Sequence, residues 1–142
     1  MTGTRSQTLD AIVDWFETLT PATVSRIDAI YAPDASFKDP FNEVRGVAAI
    51  HRVFEHMFVQ AKNPRFRITE RWQHERGAAL VWDFAFESQG RTQSVRGASH
   101  LRFAPDGRIA HHRDYWDPAE ELYENVPVLG ALMRAIKRRL KA

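Results

Sequence analysis

The second half of the chain holds four stretches in which apolar and polar side chains alternate: "RFRITERWQHE", "AALVWDFAFE", "TQSVRGASHLRF" and "GRIAHHRDYW". Alternation at period two marks a strand with one face on a core. The pieces between them are short: Gly77 after the first, "SQGR" after the second, and "APDG", a tight-turn sequence, after the third. Strands joined this closely run antiparallel. The second half is therefore a meander with one face committed to burial, and something must cover that face.

The first half supplies the cover. In "SQTLDAIVDWFETL", Leu9, Ile12, Val13, Phe16 and Leu19 recur at helical spacing, with Ser6 or Thr8 as a cap. "TPATVSRIDAIYAPDA" reads as a second helix, opened by Thr20 and Pro21 and stopped by Pro33. "SFKDPF" is a short extended piece, because Asp39 precedes a proline and is pushed away from helical geometry. "GVAAIHRVFEHMFVQAK" is a third helix whose apolar face includes Val47, Ile50, Phe54, Met57 and Phe58. Helices followed by a meander specify an α+β fold in which three N-terminal helices pack on one sheet face. At 142 residues the whole chain, 1–142, is expected to form a single domain. Beyond Asp117-Pro118, "PAEELYEN" begins another helix. Residues 126–142 form a basic amphipathic one, with Leu129, Leu132, Met133, Ile136 and Leu140 on its apolar side.

Composition narrows the function classes. Charged residues make up 27% and apolar residues 44%, a globular balance. The last nine residues hold five cations and no acid, so the high pI comes from the tail while the rest is net acidic. No basic stripe runs along the body in sequence, and no nucleic-acid partner is expected. The N-terminus lacks a basic-then-apolar signal pattern, so a cytoplasmic location is expected. Cysteine is absent, which excludes disulfides, thiolate metal sites and a cysteine nucleophile. No glycine-rich phosphate loop or nucleophile elbow is present.

Alternation also sorts the candidate site residues. If Trp82, Phe84 and Phe86 face inward, then Ser99 and Leu101 do so on the next strand. For the last strand the pattern leaves two registers open. Either Ile109, His111, Arg113 and Tyr115 point in, or Ala110, His112, Asp114 and Trp116 do. In both, the adjacent His111 and His112 part to opposite faces and cannot chelate one ion, so no metal is expected.

The stretches "APDASFKDPF", "GVAAIHRVF", "FAFESQGR" and "VRGASHLRF" resemble the ketosteroid isomerases. "DGRIAHHRDYWDPAEELYENVPVLG" resembles the closing segment of the limonene-1,2-epoxide hydrolases. Both belong to the nuclear transport factor 2-like superfamily, with the SnoaL-like polyketide cyclases. The resemblance covers nearly the whole chain. It implies a cone: a curved mixed or antiparallel sheet wrapped around helices, with an apolar pocket inside. It also implies a homodimer through the outer sheet face and no cofactor. It selects the register with His112, Asp114 and Trp116 inward.

Residue by residue, the resemblance sets Asp39 where isomerases hold their proton-shuttling aspartate. Trp15 and Ser99 fall at the positions of the oxyanion donors. Asp114 matches the last-strand aspartate of the hydrolases and cyclases. The hydrolase Asp-Arg-Asp triad is not matched, because "VWDFAFE" turns aromatics inward. The expected function is acid/base chemistry of the isomerase, cyclase or hydrolase kind. The substrate would be steroid-, polyketide- or terpenoid-like, with Asp39, His112 and Asp114 carrying the chemistry. Trp15, Phe54, Phe58, Trp82, Phe84, Phe86, Ser99, Leu101 and Trp116 would line the pocket. The alternatives are a non-catalytic binding dimer or an adaptor subunit. On those readings Asp39 is a turn aspartate bonded to backbone, Asp114 a structural ion pair and His112 a satisfied core histidine. The basic C-terminal helix is expected to pack over the pocket mouth or sheet edge rather than on a membrane.

Overall fold

A computed structural model describes residues 2–121 and residue 138, with side chains from Thr8 onward. Helix α1 (Thr2–Glu17) comes first, then a 3-10 turn (Thr23–Arg26) and a short α2 (Ile27–Ile30). Strands β1 (Tyr31–Lys38) and β2 (Glu43–Arg45) precede α3 (Val47–Gln60). The meander is β3 (Lys62–His74), β4 (Gly77–Ser88), β5 (Arg91–Phe103) and β6 (Ile109–Tyr115), and α4 (Pro118–Glu121) follows. The basic segment 126–142 lies outside the described residues apart from residue 138.

Among the described residues the strands form one sheet of order β2-β1-β6-β5-β4-β3. The pairings are antiparallel except β1 with β6, which is parallel. The sheet is therefore mixed. Its register shifts between Ile68 and Glu70 on β3, Tyr31 and Ser36 on β1, and Arg102 and Phe103 on β5. Bulges of this kind bend and twist a sheet locally. At the β3 bulge the Ile68 amide donates to Glu17 Oε2 on α1 at 3.0 Å, and Arg71 pairs with Asp10 at 2.8 Å. The first helix is thus fastened across the bent strand at two points.

Alternation puts the core where it was expected. Ile12 of α1, Ile50 of α3, Leu80 of β4, Leu101 of β5 and Ile109 of β6 are all nearly inaccessible and form one cluster. Each such side chain contributes about 1.5–3 kcal/mol by leaving water. The sequence reading requires three changes at element boundaries. Helix α1 starts at Thr2, ahead of Ser6 and Thr8. The second helix ends at Ile30, because Tyr31 is already extended (φ −110°, ψ 141°) and Ala32 is held extended by Pro33. The extended piece at "SFKDPF" is the end of a longer strand that begins at Tyr31. Strand β2 is only three residues long, too short to show a period.

One glycine matters to the inner face. Gly97 pairs directly with Trp82, and a Cβ there would lie 2.4 Å from the indole ring. The ring therefore lies across β5 at the one position with no side chain to stop it. Gly97→Ala should force the ring aside and cost about 1–3 kcal/mol of stability, read by urea unfolding followed through tryptophan fluorescence.

Candidate functional site

Between the sheet's inner face, α1 and α3 lies a cavity of about 660 Å³. Its wall is aromatic: Phe16 from α1, Phe54 from α3, Phe66 from β3, and Trp82, Phe84 and Phe86 from β4. The rings pack edge-on or tilted, as in the Phe66–Trp82 and Phe66–Phe84 pairs with centroids 5.6 and 4.7 Å apart. Into this wall project Ser99 from β5 and His112, Asp114 and Trp116 from the closing strand and the residue just beyond it. Asp39, Phe41 and Asn42 reach the cavity from the loop between β1 and β2.

The polar groups form one continuous chain. Trp82 Nε1 donates to Ser99 Oγ at 2.8 Å, and Ser99 Oγ donates to Asp114 Oδ1 at 2.5 Å. His112 Nε2 lies 2.6 Å from the same Oδ1, and Tyr31 Oη lies 2.6 Å from His112 Nδ1. An indole N–H only donates, so the direction is fixed from one end. Ser99 accepts from Trp82 and spends its single hydrogen on Asp114. Asp114 Oδ1 then accepts a second hydrogen, from His112 Nε2, and Nδ1 is left to accept from the Tyr31 hydroxyl. Reversing the last bond would leave the phenol hydrogen without a described acceptor. The partners thus assign a neutral His112 with its proton on Nε2.

Burial supports this assignment. Tyr31 is fully inaccessible, and its pKa is raised well above the usual value, first by desolvation and then by the negative charge of Asp114. It keeps its proton and acts as a donor. His112 sits among the rings of Phe16, Phe37 and Tyr31, at 5.7, 4.8 and 5.9 Å between centroids. Asp114 is different. Both of its bonds fall on Oδ1, and no buried side-chain oxygen or nitrogen among the described residues lacks a partner. Oδ2, which has no partner among the described residues, is therefore the oxygen that opens to the cavity. The side chain is 15% exposed.

Asp39 lines the same cavity with its oxygens differently engaged. Its Oδ1 accepts from the Phe41 and Asn42 amides at 2.8 and 2.6 Å, and the Asn42 side chain bonds both oxygens at 3.1 Å. The carboxylate closes its own turn, the arrangement typical of an aspartate before proline. It borders the cavity, but its acceptor capacity is largely occupied.

Three expected lining residues sit elsewhere. Trp15 points away, and its Nε1 donates to the Thr23 carbonyl at 3.0 Å. Successive helix residues are rotated by about 100°, so Phe16 takes the cavity side instead. Leu101 is wholly buried in the core below the cavity. Phe58 packs half-buried against the core without reaching it. Neither proposed oxyanion donor is available, since the Trp15 N–H goes to Thr23 and the Ser99 hydroxyl to Asp114. Tyr31 was missed. It stands at the end of "RIDAIY", where helical spacing masked a strand start. Among the described residues no cluster of three or more histidine, aspartate or glutamate side chains could hold a metal ion. No helix among them is long and apolar enough to cross a membrane.

Residues 12–112 match the SnoaL-like domain, and the chain belongs to that family. The match stops two residues short of Asp114. Solved structures show the same fold at low identity. An NTF2-like protein of unknown function from Burkholderia pseudomallei K96243 has 18% identity and a TM-score of 0.70, covering 82% of this chain and 92% of that one. A protein with a ketosteroid isomerase-like fold from Catenulispora acidiphila DSM 44928, solved with trimethylamine, has 16% identity and a TM-score of 0.68, covering 81% and 88%. An NTF2-like protein of unknown function from Exiguobacterium sp. 255-15 has 16% identity and a TM-score of 0.66, covering 78% and 98%. No curated protein matches the chain.

The raised Tyr31 pKa has a definite consequence for stability. The unfolded phenol loses its proton near pH 10, while the folded one retains it, so the folded state binds more protons above that point. The contribution of Tyr31 is complete below about pH 10 and falls by about 1.4 kcal/mol per pH unit above it. Unfolding free energies of wild type and Tyr31→Phe, measured from pH 8 to 11.5, should converge as pH rises.

Proposed function

We propose that this protein is a small-molecule acid/base enzyme of the isomerase, cyclase or hydrolase kind, acting on an apolar polycyclic or terpenoid-like substrate. The observation that carries the reading is the division of labour within Asp114. Oδ1 is held by two donors, while Oδ2 stands open in a cavity walled by aromatic rings. A cavity of about 660 Å³ is the size of a small-molecule site, and its lining suits a flat, weakly polar ligand.

In this reading Asp114 Oδ2 removes a proton from a carbon beside a carbonyl and returns it at a second carbon. Ser99 and His112 hold the carboxylate in place throughout. His112 fixes the carboxylate and is itself oriented by Tyr31. Developing negative charge on the substrate meets the donors of Arg52 and Gln60, which line the cavity from α3. Asp39 shapes the entrance and holds the loop that carries Phe41, whose ring packs edge-on against Trp116 at 5.5 Å.

The experiment is a thermal-shift screen of steroid, polyketide and terpenoid ligands, with each hit then assayed for turnover. Asp114→Asn should keep ligand binding and lower kcat by about 10²–10⁴-fold. Hits that bind equally to both forms and are never converted would instead identify a carrier.

The outer sheet face supports a second element of the proposal, a homodimer. Trp72 and Tyr115 point outward and are 54% and 51% exposed. Val81 and Ala98 lie beside Tyr115 in the same cross-strand row. Trp72→Glu should shift the sedimentation coefficient from dimer to monomer while leaving the fold intact.

A further inference from the structure

The pairing registers lay out the outer face as a grid. One cross-strand row reads Trp72, Ala79, His100, Arg113, Lys38, Glu43, and the next reads Gly77, Arg102, His111, Ser36, Arg45. The half of the grid built from β5, β6, β1 and β2 gathers Lys38, Arg45, Arg102 and Arg113 around one concavity of about 650 Å³. These four cations fall in two pairs, Lys38 with Arg45 and Arg102 with Arg113, that are far from each other in sequence. The antiparallel pairings β1–β2 and β5–β6 assemble each pair, and the parallel closure of β1 on β6 brings the two pairs together.

Their charge is poorly compensated. Among the described residues Glu43 is the single carboxylate at the concavity, and it meets Lys38 only at 3.9 Å. Arg45 and Arg102 have no ion-pair partner among the described residues, and Arg113 rests on the Tyr115 ring at 4.7 Å. Lys38 stands directly opposite Arg113 in the ladder, and like charges in that position repel. His111, which also borders the concavity, is bound to the Ser36 hydroxyl at 2.6 Å, so its Nε2 remains for a ligand.

We propose that this concavity is a binding site for a small multivalent anion of the diphosphate type. Two rows of cations, about 7 Å apart along the strands, can each engage oxygens at one end of such an anion. A monovalent anion would satisfy one row and leave the other uncompensated. The site lies on the sheet face opposite the Asp114 cavity and is independent of the reaction proposed there. It leaves free Trp72, which stands on β3 at the far end of the first row.

The test is calorimetric titration of the full chain with inorganic pyrophosphate, orthophosphate and an oligothymidylate at fixed ionic strength. Pyrophosphate should bind saturably and more tightly than orthophosphate. Its affinity should fall by about tenfold or more in Arg102→Gln/Arg113→Gln, each lost charged contact being of that order. Arg67→Gln/Arg91→Gln, which removes the same charge elsewhere, should bind like wild type. The proposal fails if pyrophosphate shows no saturable binding or if the two double variants bind alike. It also fails if the oligonucleotide binds and pyrophosphate cannot displace it, since the face would then fit a nucleic-acid strand.

Discussion

The carboxylate of Asp114 is the group on which the site depends. A negative charge only 15% exposed among aromatic rings is costly unless donors compensate it. Here two donors do so, and each is held by a further group. Ser99 is oriented by the Trp82 indole, and His112 by the Tyr31 phenol. Among the described residues the chain has no branch, and its two arms converge on Asp114 because the indole can only donate and the carboxylate can only accept. What it leaves open is a single oxygen facing the cavity.

This arrangement explains features of the fold that packing alone does not require. Gly97 lets the Trp82 ring cross β5 and reach Ser99. Strand β1 runs parallel to β6, pairing Phe37 with His112, and starts at Tyr31, whose phenol reaches the same imidazole. The bulge between Tyr31 and Ser36 lies between those two contacts. On the opposite face the same pairing sets Lys38 beside Arg113. One topological choice, the parallel closure of the sheet, therefore shapes both the cavity and the cationic surface.

Much of this was legible in the sequence. Period-two alternation located all four meander strands and the inward side chains Trp82, Phe84, Phe86, Ser99 and Leu101. The resemblance to the isomerases and hydrolases resolved the register of the last strand, which alternation alone left open. What alternation cannot show is where along a face a side chain sits, so Leu101 was assigned to the cavity although it lies in the core below. Helical spacing set Phe16 on the apolar face, whereas the resemblance set Trp15 at the site; the two residues share a broad buried face, and it is Phe16 that reaches the cavity. Tyr31 was hidden by a helix-like run that ends at Ile30. The cationic concavity was invisible because its four cations come from four strands, β1 and β2 near one end of the chain and β5 and β6 near the other, joined by a parallel pairing that periodicity does not reveal. The resemblance put Asp39 at the cavity, the residue pattern allowed a turn aspartate bonded to backbone, and both descriptions hold at once.

The central claim is the directed chain from Tyr31 through His112 to Asp114. It is tested most directly by the ¹⁵N resonances of the His112 ring at neutral pH. The account predicts a neutral ring with the proton on Nε2 and a bare, hydrogen-bonded Nδ1, the pattern being altered in Tyr31→Phe. A proton on Nδ1, or a doubly protonated ring, would contradict it.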